Sequence, residues 1–508
     1  MVTATYGLYV DWNNDGDYAD AGEDISADWM AIDISRGHSS PLARYPGVGR
    51  MTVMLKNAAQ TYSPPTNAAA RPRVPVRLTM TYGATTKTLF AGHVESIRPT
   101  FGTRKERRAL LRCVDRVSDL DRFSGDVALQ TGVWADDIIQ AVVAAVWTPG
   151  TTNYEAGVNQ FPISGDITAG PLGWAGVGRI FVHGPQEIRA SDKIADACMA
   201  DWGRFFVSGA GVPTFYNRHH VPLYASADFA LDNTMTAMDY EMSDTEIYNY
   251  IEVTCHPRSI SETYEVLGRI EQSHAPMIDA NAATTFDIHF RDPSNNAIHV
   301  GGLAVIEPVL GTDYTVTNDQ AGEGDDESSN VSAGIVAYGD HAEVTLTNAA
   351  AYPVYVQNLR VRGLAIRTRE PITVVAQDAT SIATYGLRKL ALDAALLASD
   401  VAALALANYL LSYYKDPLHD VRGVTFFANR DAALMAAARD IELLQQVTLT
   451  EDQTGLDAEA LFIYAIRHHI TPPGVHRVSI DLEQPYAIGG TVALVDDAHV
   501  DGPEVVIY

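Results

Sequence analysis

The sequence has few cysteines, little positive charge and no long apolar run, and each shortage argues against a class of protein. Only Cys113, Cys198 and Cys255 occur in 508 residues. They are odd in number, far apart and set among apolar neighbours. That argues against a disulfide framework or a cysteine-based zinc site and for small buried hydrophobes. No stretch approaches the ~20 apolar residues of a membrane helix. The opening Met1-Val2-Thr3-Ala4-Thr5-Tyr6 has neither a basic nor an apolar region. No secretory signal is expected, and the chain is expected to be made in a cytoplasm and to leave by lysis or within an assembly. Lys and Arg total 36 against 63 Asp and Glu, a formal net charge of −27. Nucleic-acid binding over the whole surface needs the opposite balance. The acidity fits simple solubility, and it equally fits a channel wall that repels DNA. Also missing are His-Glu-x-x-His, Gly-x-Ser-x-Gly and a phosphate loop. Carboxylates are abundant, but abundance does not make a glycosidase pair. No catalytic residue is assigned, and the chain is not expected to be an enzyme.

What is present is an ordinary globular balance, 47% apolar and 19% charged, long enough for about three or four domains. Residues 1–125 read as strands: Tyr6–Trp12, the alternating runs Arg50–Lys56 and Val74–Tyr82, then Lys87–Ile97 and Arg108–Val114. Pro75 suits a strand start or an edge. Trp134–Trp147 places Ile138, Ile139, Val142, Val143 and Val146 on one helical face, with Asp136 and Asp137 in the first turn. Residues 148–186, rich in Gly, Pro and Thr, read as an irregular segment. Ser191–Asp201 reads as a helix capped by Ser191 and ended by Gly203. A hairpin follows, Arg204–Val207 with Pro213–Tyr216. Tyr248–Cys255 is a strand, residues 260–368 read as an inserted β module, and Ile382–Tyr414 reads as two helices broken between Asp393 and Asp400. Residues 422–508 return to strands. The fold class is therefore α+β, mostly β, with a discontinuous middle and no short repeat.

The most distinctive motif is Asp11-Trp12-Asn13-Asn14-Asp15-Gly16-Asp17-Tyr18-Ala19-Asp20-Ala21-Gly22-Glu23-Asp24. Oxygen side chains at positions one, three and five, followed by glycine, match the first half of a calcium loop. Asp11, Asn13, Asp15, Asp17, Asp20 and Glu23 are the candidate ligands for a structural Ca2+, with Asp24 also able to close the shell. The motif departs from an EF-hand: position twelve is Gly22, and the flanks read as strand. The same residues would also make an acidic turn held by Asx side chains. Arg104, Lys105, Arg107, Arg108 and Arg112 form a basic cluster in an acidic chain. It suits an acidic face of a neighbouring subunit, contact with DNA, or a solvated hairpin tip. His219-His220 and His468-His469 are adjacent pairs. On a strand, adjacent side chains point to opposite faces, so neither pair is a good chelate.

Five segments together resemble siphophage minor tail and baseplate hub proteins. They are Tyr9–Asp17, Leu89–Pro99 with Leu111–Asp115, Ala190–Tyr216, Asp239–Val253, and Tyr409–Pro417 leading into Val421–Val424. None carries chemistry, and the resemblance lies in their order. It implies two tail-tube-like β-barrel or sandwich domains, a helical domain and an inserted β-sandwich. The implied boundaries are 1–125 for the first tube-like domain and 126–240 for the helical α+β domain. A discontinuous second tube-like domain takes 241–259, 369–381 and 422–508, with the insertion at 260–368 and a helical segment at 382–421. The resemblance implies a homotrimeric ring joining the tail tube, or a distal tail ring, to tip fibre or needle proteins. DNA would pass through it without specific binding, and the location would be the virion tail. A receptor- or carbohydrate-binding tail-tip part that touches the host surface, or a distal-tail protein, is the alternative. A tail-associated cell-wall hydrolase is a second.

Overall fold

In the computed structural model the described residues are 2–101, 107–123, 135–147, 189–216, 218, 227–270, 275–485, 492–493 and 505–506. The irregular 148–186 segment, Trp134, His219, His220, Arg104 and Lys105 lie outside them. The chain is mostly β, with several sheets and few helices. Among the described residues no helix is long and apolar enough to cross a membrane.

Six strands come from the first 114 residues: β1 (Thr5–Val10), β2 (Trp29–Gly37), β3 (Gly47–Lys56), β4 (Pro75–Tyr82), β5 (Thr85–Pro99) and β6 (Arg108–Val114). Alternation of buried apolar with more exposed polar residues, the mark of a half-buried strand, is clear in β3, where Met51, Val53 and Leu55 turn inward; β5 departs from it, burying Gly92, His93 and Val94 in succession. Pro75 opens β4, where its missing N–H is harmless, although β4 lies between β1 and β5 rather than at an edge.

These strands do not close on themselves. The sheet runs β1-β4-β5-β6-β3-β2 and continues through Leu456–Thr471, Val475–Glu483, His419–Phe427 and Ala237–Met242, twelve strands in all with Gln446–Glu451 and Phe229–Leu231. The strand Leu456–Thr471 is long enough to serve two partners in turn. Its first half pairs with Gln446–Glu451 and its second half with β2, from Ala465 opposite Gly37 to Ile470 opposite Ile32. Gly37 is required at this joint. Its φ is 119°, and a Cβ there would lie 2.3 Å from the Tyr464 carbonyl oxygen.

One apolar core lies beneath this sheet and takes in Leu434, Met435 and Ala438 of the helix Ala432–Asp440. A second packs the helices Ala135–Val146, Ala190–Asp201 and Asp400–Tyr414 against a three-stranded sheet of Tyr250–Cys255, Ile372–Gln377 and Lys389–Ala394. The buried stripe of the first helix is Ile138, Ile139, Val142 and Val143, as its spacing predicts. A third core, around Leu267, Phe290, Val344 and Val361, lies between the sheets of residues 258–368. The spine there is the strand Val354–Thr368, which pairs in turn with five shorter ones.

Three local readings are corrected. Residues 389–394, expected as helix, form a strand parallel to Tyr250–Cys255, flanked by helices Ala379–Tyr385 and Asp400–Tyr414. Ala and Leu favour helix alone, but pairing with a neighbouring strand, with Leu390 and Leu392 packed on the second core, outweighs tenths of a kcal/mol of propensity. Ser191 is not a cap: the helix starts at Ala190, and Arg189 precedes it without a side-chain cap. Gly203 does not end that helix either. Trp202 takes the left-handed conformation, φ 61°, and is held there by burial and by the Arg44 guanidinium 4.2 Å above its ring.

The joint is locked by charge. Arg204 and Glu483 are both buried and bonded through two oxygens, and Arg204 also donates to the Pro41 carbonyl at 2.6 Å. Arg36 of β2, buried, meets Glu442 at 2.7 Å. The other oxygen of Glu442 accepts the Gly209 N–H at 2.7 Å, which holds the hairpin Arg204–Tyr216 against the joint. Loss of one partner strands a buried charge. Arg204→Met or Glu483→Leu alone should each cost about 3–5 kcal/mol, and the double variant much less, by denaturant unfolding in a double-mutant cycle.

Beside the joint, Asp115 is buried, and burial pushes its carboxyl up to about 8 despite opposing contributions from nearby backbone N–H groups and Arg36. An acid with a raised folded pKa stays protonated in the fold while the unfolded chain has ionised. Stability should therefore fall between about pH 4 and pH 8, by up to about 1.4 kcal/mol per unit, and level off above that. Asp115→Asn should flatten this slope in unfolding curves taken across that range.

Candidate functional site

Two features stand out on the surface: the acidic loop after β1 and the polar face of the joined sheet. The loop leaves β1 at Val10 and returns beside it. The Val10 N–H donates to the Glu23 carbonyl at 3.0 Å, and the Ile25 N–H donates to the Leu8 carbonyl at 2.9 Å. The Trp12 indole N–H reaches the Gly22 carbonyl at 3.1 Å. Arg77 of β4 lies 5.4 Å from the Tyr9 ring and 4.4 Å from that of Tyr18, tying the middle of the loop to the sheet.

Asp11 is fully buried at the root. One of its oxygens accepts the N–H groups of Asn14 and Asp15 at 2.5 and 3.2 Å, and the other accepts that of Gly16 at 3.1 Å. Gly16, φ 103°, makes the turn that brings these donors round. The Asn13 amide nitrogen bridges Asp15 at 2.9 Å and Asp20 at 2.6 Å. Glu23 is only 2% exposed. Its Oε2 accepts the Asp20 N–H at 3.1 Å, while Oε1 has no partner. Burial raises the Glu23 pKa, and the charges of Asp11, Asp20 and Asp15 raise it further. The structure thus brings Asp11, Asn13, Asp15, Asp20 and Glu23 together. Asp17 and Asp24 are exposed and make local turns, bonding Ala19 and Ser26 N–H groups at 2.8 and 2.9 Å. Among the described residues, no three His, Cys, Asp or Glu side chains already surround a single point as metal ligands would.

The sheet's outer face carries charge in rows across paired strands. One row reads Arg112, Thr52, Asp33, His469, Arg477; the next reads Arg50, Ser35, Arg467, Ser479, Thr425. Arg50, Arg112, Arg467 and Arg477 are exposed. Asp33 meets His469 at 2.5 Å, Arg50 meets Glu95 at 3.3 Å, and Arg467 meets Asp481 at 2.7 Å. Of the basic cluster, Arg108 and Arg112 lie on this face, four residues apart on β6, and Arg107 sits at its start. The row as a whole was not legible from sequence, because its members come from distant strands. Each is an ordinary exposed residue in its own segment.

His468 and His469 do face opposite ways. His469 is on the outer face, while His468 is buried and shares a hydrogen bond of 2.9 Å with His476, which in turn meets the Tyr6 hydroxyl at 2.9 Å. Burial pulls the His476 pKa down to about 3, so this chain between β1 and the last strands stays uncharged. The three cysteines are buried and free.

No family model matches the chain, and no curated protein matches it. Several solved structures are similar in fold at low identity. The tail protein from Neisseria meningitidis is 10% identical with a TM-score of 0.49, over 95% of this chain and 96% of that one. The prophage MuSo2 tail protein from Shewanella oneidensis is 12% identical with a TM-score of 0.46, over 94% and 98%. A prophage tail protein from Listeria monocytogenes is 7% identical with a TM-score of 0.41, over 94% of each chain.

Proposed function

We propose that the chain is a structural subunit of a phage-type tail, a hub whose copies close into a ring between tail tube and tip. The observation that carries this reading is the joined sheet. Strands from the two ends of the chain share one twelve-stranded wall, apolar on one side and charged on the other. A wall of this kind, repeated by a heterologous contact that closes, makes a ring. The order of the segments resembling hub proteins agrees with it. In this reading each subunit contributes two tube-like β regions, so three copies present six to the tube above. The charged face borders the channel through which DNA passes without specific binding, and the location is the virion tail. The role is mechanical and involves no turnover. Arg107 and Arg108, at the start of β6, meet an acidic face of the next copy.

Axially averaged images of assembled tails should give threefold density where tube meets tip. Sixfold density there would move the protein to a distal ring. Reversal of Arg107 and Arg108 to Glu should leave the melting curve of the isolated chain within about 0.5 kcal/mol of wild type while lowering its incorporation into tails.

A second reading rests on the inserted module. An open groove of about 650 Å³ there is lined by Arg269, Asp287, His289, Arg291, Ser294 and Asn296. Such polar groups suit a carbohydrate, and this reading makes the protein a receptor-binding tip part. Saturable binding of the full chain on a glycan array, lost in Asp287→Ala, would favour it.

A further inference from the structure

The acidic loop contains an unresolved electrostatic problem. Residues 11–24 hold six carboxylates and no Lys or Arg. Surface loops tolerate such a run because water screens each charge. Glu23 lacks that screening: it is 2% exposed, Oε1 has no hydrogen-bond partner, and its near neighbours are the carboxylates of Asp11, Asp15 and Asp20. A buried oxygen without a donor is costly, and a negative field around it adds to the cost. The charged neighbours that act on Glu23 are carboxylates, and Arg77 of β4 lies over the rings of Tyr9 and Tyr18.

We infer that this loop is a Ca2+ site, with Glu23 Oε1 as the buried ligand that the protein alone leaves unsatisfied. Asp11, Asn13, Asp15, Asp20 and Glu23 supply hard oxygens, the donors this ion selects. The Asn13 amide nitrogen already sits between Asp15 and Asp20, where a positive group is needed. A half-turn of that amide presents Oδ1 instead, and the ion takes the place of the N–H donors. Asp11 is held for the task by its backbone bonds to Asn14, Asp15 and Gly16. Four carboxylates and one amide offer more oxygens than the six of an octahedron, which favours Ca2+ over Mg2+. The site is structural. It holds the returning segment Glu23–Ser26, bridged at Asp24 to Tyr9, against β1, and it is independent of whether the protein belongs to a tail.

The test uses Tb3+ as a luminescent stand-in for Ca2+, with Trp12 of the loop as the absorbing group. In the full chain, indole excitation should give saturable Tb3+ emission that Ca2+ displaces and Mg2+ at equal concentration does not. Trp12→Phe should lose the emission yet keep Ca2+ binding by calorimetry. Glu23→Gln supplies a sign test. Without metal, in EDTA, it should melt at or above wild type, because the stranded charge is gone. In Ca2+ it should melt below wild type and bind the ion about tenfold or more weaker. Emission that does not saturate, wild-type melting unchanged between EDTA and Ca2+, a preference for Mg2+, or a Glu23→Gln effect equal in both conditions would each overturn the assignment.

Discussion

The structure depends on one joint, the pairing of β2 with the second half of Leu456–Thr471. It joins the strands of the first 114 residues to those of the C-terminal part in one sheet. Its ion pairs link residues that are remote in sequence: Arg204 and Glu483 are 279 positions apart, and Arg36 and Glu442 are 406 apart. Charges buried on both sides, as in Arg204–Glu483, add little net stability compared with well-packed apolar groups. Their effect is geometric. A guanidinium bonded through two oxygens and to a backbone carbonyl accepts one arrangement and penalises others, which fixes where the Arg204–Tyr216 hairpin sits and hence the register across the joint. The edge of β2 away from β3 is covered by residues 465–470, remote in sequence, so this pairing is strongly non-local.

The same logic explains why a large module interrupts the chain at low cost. Residues 258–368 have their own core, and they enter and leave through adjacent antiparallel strands, with Cys255 opposite Ile372. The ends of the insertion are therefore already close, and closing a loop of any length between fixed near neighbours is cheap. The module can carry a groove and a surface of its own without disturbing the second core beneath it.

How much of this was legible in the sequence follows from where each signal lies. Strands such as Gly47–Lys56 and Arg108–Val114 show a period-two pattern within one window, and they formed where expected. The helix Ala135–Val146 shows its buried stripe at helical spacing. Lys389–Ala394 was missed because its local composition favours helix and its strand character comes from a partner more than a hundred residues away. The cap expected at Ser191 fails because the helix already starts at Ala190, so Ser191 belongs to its first turn. The candidate loop was legible as a motif, Asp-x-Asn-x-Asp-Gly, but the burial of Glu23 was not: nothing in its neighbours says that β1 and the returning segment close over it. The charged rows of the wall had no sequence signal at all, since each holds one residue from each of several strands.

That last point changes what the net charge means. By itself a total of −27 fits solubility or a repulsive wall. The charge is not spread evenly. Carboxylates crowd into the loop at the β1 end of the sheet, while arginines line its outer face from β6 to Val475–Glu483. The β1 end is also an open sheet edge, and exposed edges pair with other chains. Here the edge is covered by the loop's own returning segment: the Leu8 N–H is taken by Ser26 Oγ at 2.8 Å, the Leu8 carbonyl by the Ile25 N–H and the Val10 N–H by the Glu23 carbonyl. The residue that anchors this cover is the one with a carboxylate oxygen, Oε1, left without a donor. Edge protection and the stranded charge of Glu23 are thus one problem. A cation that satisfied the carboxylate would also hold the edge shut, and this ties the acidity of the loop to the way the wall ends.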